Sequence, residues 1–377
     1  MVLTSNFRQR LTEHLYNVKG WKTNRKIVVF DSDDWGSIRM PSKKVYNELL
    51  KANIRVDQCP FCSFDSLASE DDLTSLFEVL RSFTDVQGNH PVITANAVVA
   101  NPDFLRISQS GFKEYFFEPF TETLKKYNGC RNSFLLWNQG IEDKLFYPQL
   151  HGREHLNVNR WMKSLNEGSA EILFAFQNNM FGISTNISKE GKKSYLPSFD
   201  ADNAKDLENH GSIVGDAVTI FQSLFNYYPR TFVAPNFVWS SHLESHLANH
   251  EIKVIKSSRI QLAPNLANGY IKKRHFTGQR NRHEQVYIVR NCLFEPSFFN
   301  KIDWISVCMR NIQNAFLWNT PAIIGTHRLN YIGSIVENNR KNNLRLLSEL
   351  LKSIVTKWPE VEFLSSSQLG SLIHSNE

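Results

Sequence analysis

Short apolar runs alternate with helical stretches along most of this chain, and that alternation constrains the fold more than any single motif. The runs are KIVVFDSDDWGS (26–37), PVITANAVVANPD (91–103), LFYPQLHGREH (145–155), RTFVAPNFVWS (230–240), KVIKSS (253–258), QVYIVRNCLFEP (285–296), PAIIGTHRLN (321–330) and VEFLSSSQL (361–369). Helical patterns follow near 42–52 and 112–127, in NVNRWMKSLN, and most strongly over ENNRKNNLRLLSELLKSIVTKW (337–358). Strands separated by helices pair in parallel through βαβ crossovers. Seven or eight such units predict an α/β fold, a distorted (β/α)7–8 barrel in one domain, in preference to an open sheet. A helical extension is expected over 1–25 and the barrel over 26–377. A polar insert over about 168–228 would cover the site or form an oligomer contact.

A barrel gathers functional side chains at the carboxyl ends of its strands. Reactive residue types should therefore cluster just after the apolar runs, and they do. Asp31, Asp33 and Asp34 follow IVVF, His151 and His155 follow LFYPQL, Asn236 follows TFVAP, and His327 follows AIIGT. His151 and His155, spaced i and i+4, meet on one face if the segment turns helically. Neutral imidazoles are common ligands of divalent metals. The HExxH pattern is absent, which removes the zincin protease reading. The pair Asp33–Asp34 is costly at a buried strand end unless a cation compensates it. Neighbours on a strand point to opposite sides, so one acid is expected on the metal and the other in proton transfer. A turn or helix-capping role is the plain alternative for either acid. His327 by itself reads as a structural histidine. Beside a metal and a carboxylate base it becomes a candidate general acid.

Composition narrows the classes further. Of 377 residues, 41% are hydrophobic and 21% charged, as in an ordinary globular protein. A formal charge of +6 argues for no nucleic-acid partner and tolerates an anionic substrate. Aromatics at 12% imply a heavy core, with some rings available to stack on sugars. No apolar leader is visible, and no run nears the roughly 20 apolar residues that span a bilayer, so a cytoplasmic protein is expected. Five cysteines, an odd number spread over a large chain, fit a reducing compartment. The CxxC of Cys59 and Cys62 lacks a second half for a zinc site and is expected to be structural. The basic stretch 272–283 reads as a solvated loop or a contact for an anionic group.

In their order along the chain, these pieces resemble the motifs of the NodB-type polysaccharide deacetylases over about residues 26–370. FDSDDWG resembles the first motif, in a variant closer to the DDFG of the YdjC-type sugar deacetylases. His151-Gly-Arg-Glu-His155 resembles the second, with Gly152 in place of Ser or Thr. Val233-Ala234-Pro235 aligns with the R-x-P of the third motif, without its Arg. Asn300-Lys301-Ile302-Asp303-Trp304 is similar to the fourth, and Gly325-Thr326-His327 to the last. The resemblance implies a divalent metal held by Asp34, His151 and His155, zinc first, with cobalt, nickel or manganese as alternatives. It implies Asp33 as general base, with Asp31 as rival, and His327 as general acid oriented by Asp303. It further implies a backbone N–H near the third motif as oxyanion donor. Arg153 or Arg328 would replace the missing Arg. Asp31, Trp35, Asn96, Arg153, Pro235, Asn236 and Arg328 are the candidate substrate contacts. The implied reaction is removal of an acetyl group from an N- or O-acetylated sugar or polysaccharide. A metal hydrolase of another amide or ester, and a catalytically silent sugar-binding barrel, are the competing readings.

Overall fold

The computed structural model describes residues 14, 17–189, 193–267, 269–298 and 302–375. Of the expected N-terminal extension, residues 1–13, 15 and 16 lie outside the described residues, as do Asn300 and Lys301 of the fourth motif. The described strands are β1 (Lys26–Trp35), β2 (Ile93–Ala97), β3 (Phe146–Leu150), β4 (Thr231–Val233), β5 (Val254–Ser257), β6 (Ile260–Pro264), β7 (Tyr270–Arg274), β8 (Val286–Val289), β9 (Cys292–Leu293), β10 (Ala322–His327) and β11 (Val361–Phe363). A short antiparallel pair, Ala100–Pro102 with Phe117–Pro119, lies off the main sheet. β6 and β7 form a separate antiparallel hairpin.

The main sheet is parallel throughout, in the order β8-β5-β4-β3-β2-β1-β10-β9, with β11 beside the start of β1. Its two ends belong to one extended run. β8 pairs with β5, and after Arg290 and Asn291 the same chain pairs with β10 as β9. The switch is stitched on both sides. Arg290 N–H donates to Ser257 O at 3.1 Å, and Asn291 N–H to Ile323 O at 3.2 Å. Ile323 N–H donates in turn to Asn291 Oδ1 at 2.8 Å. The expected α/β barrel is thus a distorted ring of seven strand positions, the seventh shared by β8 and β9.

Alternation along the strands builds the interior. Ile27 and Val29 on β1, Val254 on β5, Val286 and Ile288 on β8 and Ile323 on β10 form an apolar floor, closed by Leu369 and Ile373 of the last helix. Two residues further along each strand, the inward positions turn polar: Asp31, Lys256, Arg290 and, on β2, Asn96. Val28 and Phe30 face outward and join the larger core under the helices, with Leu347, Leu351 and Ile354 of helix Glu337–Lys357. Both faces of the sheet are covered, which is why the strands read as nearly unbroken apolar runs.

Two helical expectations change. The pattern at 112–127 is broken: a helix Phe104–Gln109 ends at Gly111 and Phe112, both at positive φ, and a new one starts after Pro119. Within 168–228, helix Ala204–Phe225 buries Val214, Ala217, Val218, Phe221 and Phe225 against the main core, as the crossover between β3 and β4.

Candidate active site

β1 ends in an irregularity. Its register against β2 shifts between Ser32 and Trp35, and Asp34 sits at φ 73°, a conformation a non-glycine residue adopts only under constraint. This twist separates the two acids. Asp33 stays on the inner face, and Asp34 turns toward the end of β3. There Asp34 Oδ1 lies 3.2 Å from His155 Nε2 and 3.5 Å from His151 Nε2. All three residues are buried and offer ligand atoms close enough to share one metal ion.

The donor set fits a cation. His151 Nδ1–H donates to Val233 O at 2.8 Å, which leaves the Nε2 lone pair pointing at a carboxylate oxygen with no donor between them. Nε2 of His151 is buried without a hydrogen-bond partner. Burial pulls His155 down to about 4, so its imidazole is neutral near pH 7. Burial opposes ionisation of Asp34, but the Arg39 guanidinium leads the influences that outweigh it and hold the carboxyl well below the ordinary range. Two imidazole nitrogens and one carboxylate oxygen form a set suited to zinc or a neighbouring divalent metal.

The histidine pair does not come from a helical turn. Residues 151–155 form an irregular loop in which Gly152 takes φ 110°. Arg153 O accepts from Val99 and Ala100 N–H at 3.1 and 2.7 Å and pins the loop to the β2 side. The left-handed backbone explains a glycine at position 152.

Asp33 is held from the opposite side by Arg290, whose Nη1 and Nη2 donate to Oδ2 at 2.7 Å and Oδ1 at 2.5 Å. Asn96 Nδ2 adds a bond to Oδ1 at 2.7 Å. Burial opposes the charge on Asp33, yet the guanidinium more than compensates and holds the carboxyl far below its ordinary value. Arg290 Nε also donates to Asp31 Oδ2 at 2.7 Å, and Lys256 Nζ to Asp31 Oδ1 at 2.9 Å. Ser366 Oγ reaches the same oxygen at 3.1 Å. Asp31, Asp33, Lys256 and Arg290 thus form a charge-balanced quartet in the barrel interior. Gly325 on β10 makes room for it, since a Cβ there would sit 2.8 Å from Arg290 Cδ.

His327 faces Asp33 across the mouth, with Nε2 3.9 Å from Oδ2, and a quarter of its side chain is exposed. Its Nδ1 meets Glu295 Oε1 at 2.6 Å. Glu295 is steadied by Asn330 Nδ2, which donates to Oε2 at 2.8 Å. Burial pushes the imidazole down. The charge and hydrogen bond of Glu295, with Asp34 and Asp33 behind them, outweigh burial and lift His327 to about 9.

Several sequence assignments are corrected here. Asp303 does not orient His327: it is exposed and caps helix Trp304–Leu317, accepting from Ser306 N–H at 3.0 Å. Glu295 does that work. Neither Arg153 nor Arg328 replaces the missing Arg. Arg153 pairs with Glu154 and Asp216, at 2.7 Å each. Arg328, fully buried, makes two 3.0 Å bonds to Asp65. Arg290 is the arginine that grips Asp33, from a different strand. Trp35 is no substrate contact either. It is 1% exposed and packs edge-on against Phe146 at 4.7 Å and Trp137 at 6.1 Å. Asp31 and Asn96 are fully buried and act on Arg290, Lys256 and Asp33. Pro235 is buried, whereas Asn236 is exposed at φ 57° in the turn after β4. The next residue, Phe237, lies 5.4 Å from the Arg290 guanidinium.

The sequence reading missed Arg290, Glu295, Lys256 and Arg39. Arg39 donates to Asp34 Oδ2 at 3.1 Å. Arg290 had a visible signal: in Val286-x-Ile288-x-Arg290 it is the next inward position of the strand.

No family model and no curated protein matches this chain. Among solved structures it is similar to a polysaccharide deacetylase from Mycobacterium smegmatis, at 9% identity over 95% of this chain and 93% of that one, TM-score 0.47. It is also similar to the allantoinase Puue, at 10% identity over 95% and 93%, TM-score 0.45. A third is a polysaccharide deacetylase from Pseudomonas aeruginosa PAO1, at 8% identity over 94% and 93%, TM-score 0.45.

Proposed function

We propose that this protein is a metal-dependent hydrolase that removes acetyl groups from an N- or O-acetylated sugar or polysaccharide. One observation carries the reading: a buried Asp-His-His cluster that could hold a metal lies beside a fixed carboxylate, Asp33, which itself faces a charged imidazole, His327. A divalent cation held by Asp34, His151 and His155 would supply Lewis acidity toward a carbonyl and make a nearby water more acidic. Asp33, kept ionised and oriented by Arg290 and Asn96, accepts the proton of the attacking water. His327, charged through Glu295, gives a proton to the departing amine or alkoxide. The turn Pro235–Phe237 lies beside this centre and is the candidate source of a backbone donor for the developing oxyanion. The motif resemblance supplies the acetylated sugar. A silent binding barrel has no use for the paired Asp33 and His327, so that reading is the weaker one.

The test combines metal analysis with acetate release from acetylated sugars. Metal copurification, loss of acetate release with a chelator and its return on adding zinc are expected. His151→Ala should lower cation affinity by orders of magnitude, measured by calorimetry. Metal binding without acetate release from any acetylated sugar would point to another amide or ester.

His327 gives a pH prediction. Its folded-state value of about 9 lies above the ordinary 6.5. The charged form therefore contributes its full stabilisation below about pH 6.5 and loses it as pH rises through about 9. A general acid titrates the same way, so kcat/KM is expected to fall above about pH 9. Glu295→Gln should move that limb down by roughly 1–3 pH units. A limb that stays in place would remove His327 from the acid role.

A further inference from the structure

The CxxC assigned a structural role from sequence lies against the catalytic face. Cys59 and Cys62 stand one turn apart, with Cys62 N–H donating to Cys59 O at 3.0 Å. Spacing of i and i+3 puts both thiols on one side. Each residue is 8% exposed, and none of the five cysteines is in a disulfide. Both line a small cavity of about 60 Å³ together with Arg39, Met180, Phe181 and Ser184.

Phe61, between the two cysteines, ties this turn to the site. Its ring lies edge-on to His327 with centroids 5.4 Å apart, and 5.3 Å from Phe298. The Arg39 guanidinium lies 5.1 Å from the same ring and bonds to Asp34. The other three cysteines are buried elsewhere in the core.

We propose that Cys59 and Cys62 form a redox-active dithiol, open to small disulfides, whose oxidation is felt at His327 through Phe61. The Cys59 thiolate attacks one sulfur of a low-molecular-weight disulfide, forming a mixed disulfide and releasing one thiolate. Cys62 then loses its proton and attacks the Cys59 sulfur, closing the intrachain bond and releasing the second. Two protein thiols are oxidised and one disulfide is reduced to two thiols. The electrostatics suit that order. The neighbouring Cys62 thiol brings Cys59 down to about 6 against the pull of burial, with help from Ser184 and Arg39. Cys62 is pushed well above its ordinary value, mainly by the Cys59 thiol and by burial. Burial lifts Cys130 to about 12 and also raises Cys308, so neither competes as a thiolate. Closing the bond re-packs the turn that carries Phe61, whose ring touches both His327 and Arg39.

The experiment equilibrates the full-length protein with mixtures of reduced and oxidised glutathione, quenches with acid, alkylates and maps peptides by mass. The Cys59 and Cys62 sites are expected to lose alkylation together as the oxidised fraction rises, while Cys130, Cys292 and Cys308 remain alkylatable after unfolding. Cys62→Ser should accumulate glutathione on Cys59, and Cys59→Ser should leave Cys62 unmodified. Thiols that stay alkylatable at every ratio, or oxidation spread equally over all five cysteines, would overturn the dithiol. The His327 imidazole resonances should shift between the reduced and oxidised forms of the wild-type protein and stay fixed in Cys59→Ser. No shift on oxidation would overturn the link through Phe61. Neither readout depends on hydrolase activity.

Discussion

Replacing Asp33 by asparagine is expected to lower turnover of an acetylated sugar by ~10²–10⁴-fold, the usual worth of a positioned general base, while cation affinity changes little. Asparagine keeps the shape of the side chain but cannot take a proton. The change leaves Asp31 alone against Arg290 and Lys256, so part of the stability should be lost, and both readouts are taken on folded protein. The cluster that could hold the metal keeps its three atoms, since Asp34 points away from Asp33 across the irregularity in β1. Calorimetric cation binding and acetate release, measured on the same preparation, separate the two roles. Full activity in Asp33→Asn would transfer the base to another group. Asp31 could not take it over, being sealed at 0% exposure behind Lys256, Ser366 and Arg290. That burial is the argument for proposing Asp33 over Asp31, the two acids that the sequence leaves as rivals.

The strand ends were legible because reactive residues after apolar runs have few innocent explanations when they recur on several strands. Asp34, His151 and His155 came from that pattern, and the structure brings them together. The means of convergence was not legible. A left-handed Asp34 and a loop through Gly152 replace the helical turn that i,i+4 spacing suggested. Asp303 misled because it stands next to Trp304 in a familiar order. A residue that precedes a helix is a capping candidate first, and Asp303 does cap one. Trp35 misled for the opposite reason: it is adjacent in sequence to a site residue, and the irregularity in β1 that exposes Asp34 to the histidines swings Trp35 into the core. Glu295 and Arg290 were harder to find, since each works on a partner more than 30 positions away, His327 and the Asp31–Asp33 pair. Only the inward alternation of β8 and the extension of that run through β9 connect them to the site.

Arg290 is the residue whose loss should cost most in stability. Its guanidinium is the largest single compensation for two buried carboxylates, and Lys256 reaches only Asp31. Arg290→Met is expected to destabilise the fold by ~3–5 kcal/mol, the range for removing one partner of a buried ion pair, and to abolish activity. Stability is read from denaturant midpoints at neutral pH. The charge account makes a sharper claim than the destabilisation alone. With Arg290 gone, the interior carries two acids against one lysine. Adding Asp33→Asn to Arg290→Met leaves Asp31 paired with Lys256 and should recover part of the lost stability without recovering turnover. Arg290→Lys keeps the charge but gives up the fork that grips both oxygens of Asp33. It should retain most of the stability and lose much of kcat. If the double variant were no more stable than Arg290→Met, Arg290 would be filling space beside Gly325 and not neutralising charge. If Arg290→Lys turned over like the wild type, the orientation of Asp33 would not be what the quartet supplies. The ordering expected from electrostatics is therefore wild type, Arg290→Lys, the double variant, then Arg290→Met in stability. Activity should separate the lysine variant from the wild type even where stability does not.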